Sequence, residues 1–248
     1  MKRHLVWLTL IVLITASLAC AVPSIPSGIR TIKGSGNVVT EDRDVSGFDS
    51  VALLGFGRVI ITQGDEESLT VETDDNLMQY IETEVRGGTL ELGFTEDDIL
   101  LDPSDSIIFR LSLIDLAALD SSGAGKFEIE KLETDRLEVT LSGAGDIGID
   151  SLSATDLVVT VSGAGQVELA GQVKTQEITL NGLGNYDAPD LESQTATVRV
   201  PGAGSVAIWV LNTLDVTING AGSVEYYGSP HVTQDISGVG KLTSRGDK

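Results

Sequence analysis

This chain is poor in the residues from which most catalytic sites are built. Of its 248 residues, one is cysteine and two are histidine, and aromatics make up only 4%. With Cys20 alone, no disulfide can form within the chain. Of the histidines, His4 lies in the leader and His231 stands by itself near the far end, so a serine or cysteine nucleophile finds no obvious base. Basic residues are also scarce, with 16 Lys and Arg against 37 Asp and Glu and a formal net charge of −21. That balance argues against nucleic acid and against adsorption to anionic lipid. A solvated acidic face accounts for it. Cation binding, or repulsion from a like-charged envelope polymer, is the sharper alternative. Apolar residues are not lacking: at 41% they exclude disorder as a global description.

Glycine is abundant, at 28 residues, and it is ordered. A small residue followed by Gly-x-Gly recurs at Ser122, Ser142, Ser162, Asn181, Pro201, Asn219 and Ser237. The first glycines, from Gly123 to Gly238, are separated by 20, 20, 19, 20, 18 and 18 residues. A fixed period of that size marks a stacked repeat. Ahead of each motif runs an alternation such as Leu137, Val139, Leu141 or Leu157, Val159, Val161, with Thr and charged residues between; a shorter one follows, such as Ile147 and Ile149. Period-two alternation rich in Val, Ile and Thr is the pattern of half-buried strands. Each repeat therefore reads as strand, glycine corner, strand, polar return. The corner is expected to need glycine for positive φ. The sequence predicts an all-β chain: a right-handed parallel β-helix of 18–20 residues per coil, preceded by a smaller β-rich lobe. Seven coils stacked about 4.8 Å apart make a rod roughly 30 Å long. An antiparallel sandwich or barrel ranks second, because meandering strands do not require so constant a phase.

The N-terminus reads as a targeting segment. Lys2, Arg3 and His4 precede an apolar run at 5–18 that is too short for an ordinary membrane span. Ala16-Ser17-Leu18-Ala19-Cys20 resembles a bacterial lipobox, with Ser17 where leucine is usual. Lipidation of Cys20 is favoured over ordinary cleavage because the sole cysteine stands at the end of the apolar run. The expected organisation is a lipoprotein signal peptide at 1–19, lipidated Cys20 with a tether at 20–31, an N-terminal β lobe at 32–106 and the repeat lobe at 107–245. Within the first lobe, Val51 and Leu53 lead into Gly55-Phe56-Gly57, and Val59 and Ile61 follow, an earlier relative of the repeat. Residues 76–81 allow one or two helical turns. Arg86-Gly87-Gly88 joins a hairpin, and the acidic stretch 96–106 reads as a connecting loop.

Phe48-Asp-Ser-Val-Ala-Leu53, Gly57-Arg-Val-Ile-Ile-Thr-Gln-Gly64, Gly88-Thr-Leu-Glu-Leu92 and the recurring Ser-Gly-Ala-Gly together resemble the head-GIN-domain family of auto-transporter adhesins, over residues 34–243. The resemblance implies a β-helix-like domain of bacterial envelope proteins, often lipoproteins. It carries no catalytic or ligand residues to this chain.

Candidate sites are few. Trp209 is expected to face outward, because Val206, Ile208 and Val210 share the opposite side of its strand. With Tyr226 and Tyr227 it is the candidate sugar-stacking surface. Asp97, Asp98, Asp102 and Asp105 supply hard oxygens suited to calcium, although an acidic loop is the simpler reading and no metal or other cofactor is expected. Ser142 and its equivalents repeat with the corner, which makes them structural. The glycine corners lack the lysine and helix of a phosphate loop. Arg245-Gly246-Asp247 matches an integrin-recognition tripeptide, ordinarily chance in a bacterial sequence. The expected role is a non-catalytic, adhesin-like or scaffolding surface held to the membrane by its lipid, with a glycan or an envelope or host protein as partner and nucleic acid excluded. The alternatives are a carbohydrate lyase or hydrolase and a purely structural component. Acids converging with Lys174 or Arg199 on one groove favour the enzyme; uncharged outward rows favour binding.

Overall fold

The computed structural model describes residues 30–96 and 98–248, so the expected signal peptide, Cys20 and Asp97 lie outside the described residues. The fold is an all-β solenoid of about six turns, with further β structure on its N-terminal side. Strands Asp146–Val161, Gln166–Leu180, Asn185–Val200 and Ser205–Ile218 each wrap most of one turn and pair in parallel with the next. The alternation in sequence becomes columns in space. Phe127, Ile147, Val167, Tyr186, Val206 and Val224 stack in register and are all buried. Leu119, Val139, Val159, Ile178, Val198 and Val216 form a second buried column. Burying side chains of this size stabilises by about 1.5–3 kcal/mol each, and the ladder of backbone bonds fixes which residue lies above which.

The glycine corners differ from the expectation in one respect. Among their glycines only Gly57 has positive φ, at 146°. The rest are required by close approach: a Cβ on Gly143 would lie 1.8 Å from the Gly123 carbonyl oxygen, and one on Gly163 would lie 1.7 Å from that of Gly143. The parallel ladder therefore continues around the bend, with Ala144 N–H donating to Gly123 O at 3.0 Å and Ala164 N–H to Gly143 O at 3.1 Å. Backbone stacks on backbone at each corner, and a side chain there would push two coils apart.

The early repeat relative is a coil of the same solenoid. Strands Ser50–Leu53 and Arg58–Gln63 pair in parallel with Ala118–Ser121 and Lys126–Ile129. On their other side lie Thr89–Phe94 and Ile108–Leu113, also parallel. Residues 50–63 are thus sandwiched between two segments that follow them in sequence. Beyond, the pairing turns antiparallel: Ser68–Asp74 lies against Ile108–Leu113, Val38–Arg43 against Ser68–Asp74, and Ile81–Arg86 against Thr89–Phe94 as the expected hairpin. The helical expectation for 76–81 reduces to one 3-10 turn, Met78–Tyr80, which brings buried Met78 onto the core. The acidic stretch 96–106 is not wholly a loop. Its strand Ile99–Asp102 pairs in parallel with Arg30–Lys33, and buried Leu101 joins the core. The five acids of the stretch hide this strand in the sequence, but a single inward leucine is enough to seat it.

Candidate functional site

The faces of a solenoid are built from its outward rows. One row runs through Glu133, Ser153, Gln172 and Glu192, which pair in register across successive coils. It lies where the ladder is least regular, with register shifts between Ile149 and Leu152 and between Glu168 and Ala170. The chain bends there, and a groove of about 740 Å³ opens along the rod. Thr134, Ala154, Thr155, Val173 and Gln194 complete most of its walls, with Asp115, Asp135 and Lys174 as further charges. At one end Gln63 substitutes for a strand: its amide accepts from Glu133 N–H and donates to Glu133 O, both at 2.8 Å. Lys131, 2.6 Å from the carboxylate, holds Glu133 below the usual carboxylate range and offsets its charge. Lys174 has no carboxylate within ion-pair distance among the described residues.

The row does not stop at Glu192. Its next members in register are Trp209 and Tyr227. The groove and the aromatic pair therefore form one track of six positions, about 24 Å at the spacing of parallel strands. Trp209 does face outward, with Val206, Ile208 and Val210 buried on the other side. Tyr226 is separated from the pair: its side chain packs against the core beneath the last coils. Lys248 folds back over the pair, its Nζ lying 5.3 Å from the Trp209 ring centroid and 5.5 Å from that of Tyr227, while it also ion-pairs with Asp190.

The other candidates fall elsewhere. Asp98 and Asp102 offer their carbonyls to Arg30 N–H (3.0 Å) and Gly34 N–H (2.8 Å), and the Asp105 carboxylate accepts from Ser106 N–H at 2.7 Å. Among the described residues no group of three or more His, Cys, Asp or Glu side chains is placed to hold a metal. Of the two cations proposed to mark an enzyme groove, Lys174 shares the groove with carboxylates, whereas Arg199 is paired with Glu177 on another face. In the Arg-Gly-Asp tripeptide Arg245 is held by Glu225 at 2.6 and 2.9 Å, and Asp247 accepts from the Ser229 hydroxyl at 2.6 Å. The groove itself was missed in the sequence, because it is assembled from the positions where the repeat pattern is weakest.

A stacked scaffold with one long lateral groove defines a β-solenoid repeat protein whose chemistry lies along its surface. Comparison with known proteins agrees. Residues 47–230 match the family described as putative auto-transporter adhesin, head GIN domain, and the chain belongs to that family. Its fold is that of a putative adhesin from Bacteroides fragilis, with 26% identity and a TM-score of 0.82 over 86% of this chain and 99% of that one. A putative adhesin from Parabacteroides merdae is 20% identical, with a TM-score of 0.68 over 86% and 98% of the two chains. A protein described as a putative lipid binding protein, from Parabacteroides distasonis, is 21% identical, with a TM-score of 0.69 over 87% and 99%. No curated protein matches by sequence.

Proposed function

We propose that the chain is an exported envelope protein, anchored through lipidated Cys20, that binds polysaccharide without cleaving it. The observation that carries this reading is the lateral groove, whose walls combine six Ser, Thr and Gln side chains with four carboxylates and Lys174, and whose row leads in register to Trp209. Hydroxyl and amide side chains offer both donors and acceptors to sugar hydroxyls, and an aromatic face stacks on a sugar ring. A peptide is less suited to this face. The backbone groups of the coils bordering the groove are engaged in ladders with their neighbours, so strand addition has no free edge there. Membership of an adhesin-like family supports a surface or extracytoplasmic location, and the lipobox-like segment before Cys20 supports the anchor.

The test is incubation of the protein with a panel of envelope and host polysaccharides, reading retention and chain length together. Retention with intact chains, weakened in Gln172→Ala and Thr155→Ala variants, is the expected result. Shortened chains would establish the second reading, carbohydrate cleavage, for which the placement of Lys174 among the carboxylates of the groove is the motivating observation. Metabolic labelling with a tagged fatty acid, abolished in Cys20→Ala, is expected for the anchor; equal labelling of the variant would overturn it.

A further inference from the structure

Lys248 occupies what has the form of a binding site. Two ring faces, Trp209 and Tyr227, meet its ammonium from one side and the Asp190 carboxylate from another. Aromatic faces carry negative potential, and rings combined with a carboxylate are the arrangement that recognises ammonium groups. The lysine side chain is 28% exposed there, against 68% for Lys131. The segment that delivers it is itself guided into place. Gly228 N–H donates to Gly246 O at 2.9 Å, Arg245 is clamped by Glu225, and Ser229 holds Asp247. Gly228 and Gly246 both adopt positive φ, 96° and 87°, which turns the chain back across the rings.

The same rings lie one and two coils beyond Glu192, a residue of the groove wall. Glu192, Trp209 and Tyr227 are consecutive members of one register row. Four carboxylates, Asp115, Glu133, Asp135 and Glu192, line the groove with Lys174 as the one cation in its walls, and of the four Glu133 is ion-paired with Lys131, on a chain of net charge −21. That field draws cations and repels polyanions.

We propose that Trp209, Tyr227 and Asp190 form an ammonium-binding box beyond Glu192 along the row of the groove, that its external ligand is a polysaccharide of amino sugars bearing free amines, and that Lys248 is a tethered competitor for the box. The proposal rests on the polysaccharide reading of the groove and assigns it a ligand class. A straight track of coils at strand spacing suits an extended sugar chain, and the engaged backbone disfavours a lysine-bearing peptide as the occupant. Withdrawal of the Lys248 side chain alone opens the box, because the backbone bonds that hold its segment, Arg245 N–H to Tyr226 O at 2.8 Å and Gly228 N–H to Gly246 O at 2.9 Å, do not involve it.

The sequence holds two tryptophans, Trp7 and Trp209. Protein carrying Trp7→Phe therefore reports from Trp209 by its fluorescence, with or without the leader. It is titrated with glucosamine oligomers, with N-acetylglucosamine oligomers of the same length, and with lysine amide. The expected result is that glucosamine oligomers shift the emission and bind more tightly than the acetylated ones. Lys248→Gln is expected to tighten that binding by about fivefold, and Asp190→Asn to weaken it by about as much, the size of a partly exposed cation–π or charge contact. The acetylated oligomers should respond to neither substitution. Lys248→Gln alters only an exposed segment, so a null result cannot be ascribed to unfolding. If both substitutions leave glucosamine binding unchanged, or if acetylated oligomers bind equally well, the box is refuted while the groove reading stands. If lysine amide matches the oligomers, or shifts Trp209 while no oligosaccharide is retained, the sugar assignment is overturned and the ligand is a protein amine.

Discussion

At the scale of single residues, two features hold the solenoid to its geometry. The first is the corner glycine. A methyl group on Gly163 would meet the Gly143 carbonyl oxygen at 1.7 Å and the Ser142 carbonyl oxygen at 2.7 Å, backbone atoms that are held by ladder bonds on both sides. Gly163→Ala should therefore cost about 2–3 kcal/mol, the range for forced backbone displacement in a packed interior, and chemical denaturation measures it. A matched substitution at Gly36, whose added Cβ would meet nothing within 4 Å, acts only through its φ of 82° and should cost less. The second is Asp74, buried where three segments meet. It accepts from Gly36 N–H at 2.7 Å, Ser104 N–H at 2.8 Å and the Ser104 hydroxyl at 2.6 Å. The Ser104 hydroxyl leads the bonds that hold its carboxyl below the ordinary 3.8, against the opposing effect of burial. A carboxyl with a lowered folded pKa contributes stability above its unfolded value and loses it as pH falls through the folded one. Unfolding midpoints should thus fall on acidification below about pH 4. Asp74→Asn should be less stable near neutrality but lose less on acidification. Equal pH dependence in the two proteins would show that the carboxylate is not responsible.

At the scale of elements, the core column containing Leu157 and Ala196 is interrupted by Gln176, which pairs in register with both. The interruption is satisfied locally. The buried Tyr186 hydroxyl donates to Gln176 Oε1 at 3.0 Å, the Gln176 amide donates to Ser193 Oγ at 2.7 Å, and Ser193 donates to Trp209 O at 2.9 Å. Burial pushes the Tyr186 phenol far above its usual value, which keeps it a donor. The network ties strand Gln166–Leu180 to the backbone of the residue that bears the outward indole. Tyr186→Phe or Gln176→Leu alone should cost about 1–2 kcal/mol, since each strands a buried polar atom. Together they should cost less than the sum, because no orphan remains between them and Ser193 keeps its bond to Trp209 O. Additive losses in a double-mutant cycle would contradict the coupling.

The columns were legible in the sequence because Val, Leu and Ile recur at fixed offsets from each glycine motif, and the outward placement of Trp209 followed from the same parity. The order of coils was not. Val51 and Leu53 announce a coil, yet nothing in their periodicity says that it lies between Thr89–Phe94 and Ala118–Ser121, since ladder partners are chosen by fit rather than by chain proximity. The strand Ile99–Asp102 was concealed by the acids around it. The groove was concealed because residues such as Ser153 and Gln172 sit at bends where strand alternation fails, and Lys248 reaches Trp209 across 39 residues of sequence.

At the scale of the molecule, the two ends of the rod are treated differently, and that difference is measurable. At the N-terminal side antiparallel strands and the turn bearing Leu77 and Met78 lie over the core, and both residues are buried. At the other side the last coil is formed by His231–Ile236 and Lys241–Ser244, each paired to only one neighbour among the described residues. Its inward positions turn polar or thin: Gln234 follows Val216, Ser244 follows Tyr226, and Ile236 is 38% exposed. Such substitutions blunt an edge that would otherwise invite another chain. In a stacked repeat, local stability is the sum of a coil and its neighbours, so a coil with one neighbour opens most readily. Amide hydrogen exchange should then show weaker protection in His231–Ile236 and Lys241–Ser244 than in the coils inward of them, rising to a maximum in Asp146–Val161 and Gln166–Leu180. Because Lys248 bridges Asp190 and the Trp209 ring, Lys248→Gln should lower protection in Ser223–Tyr227 more than in the middle coils. Uniform protection through Ser244 would mean that the end is covered in solution. Sedimentation over a dilution series would then reveal whether a second copy covers it, by a fall in apparent mass as the complex separates.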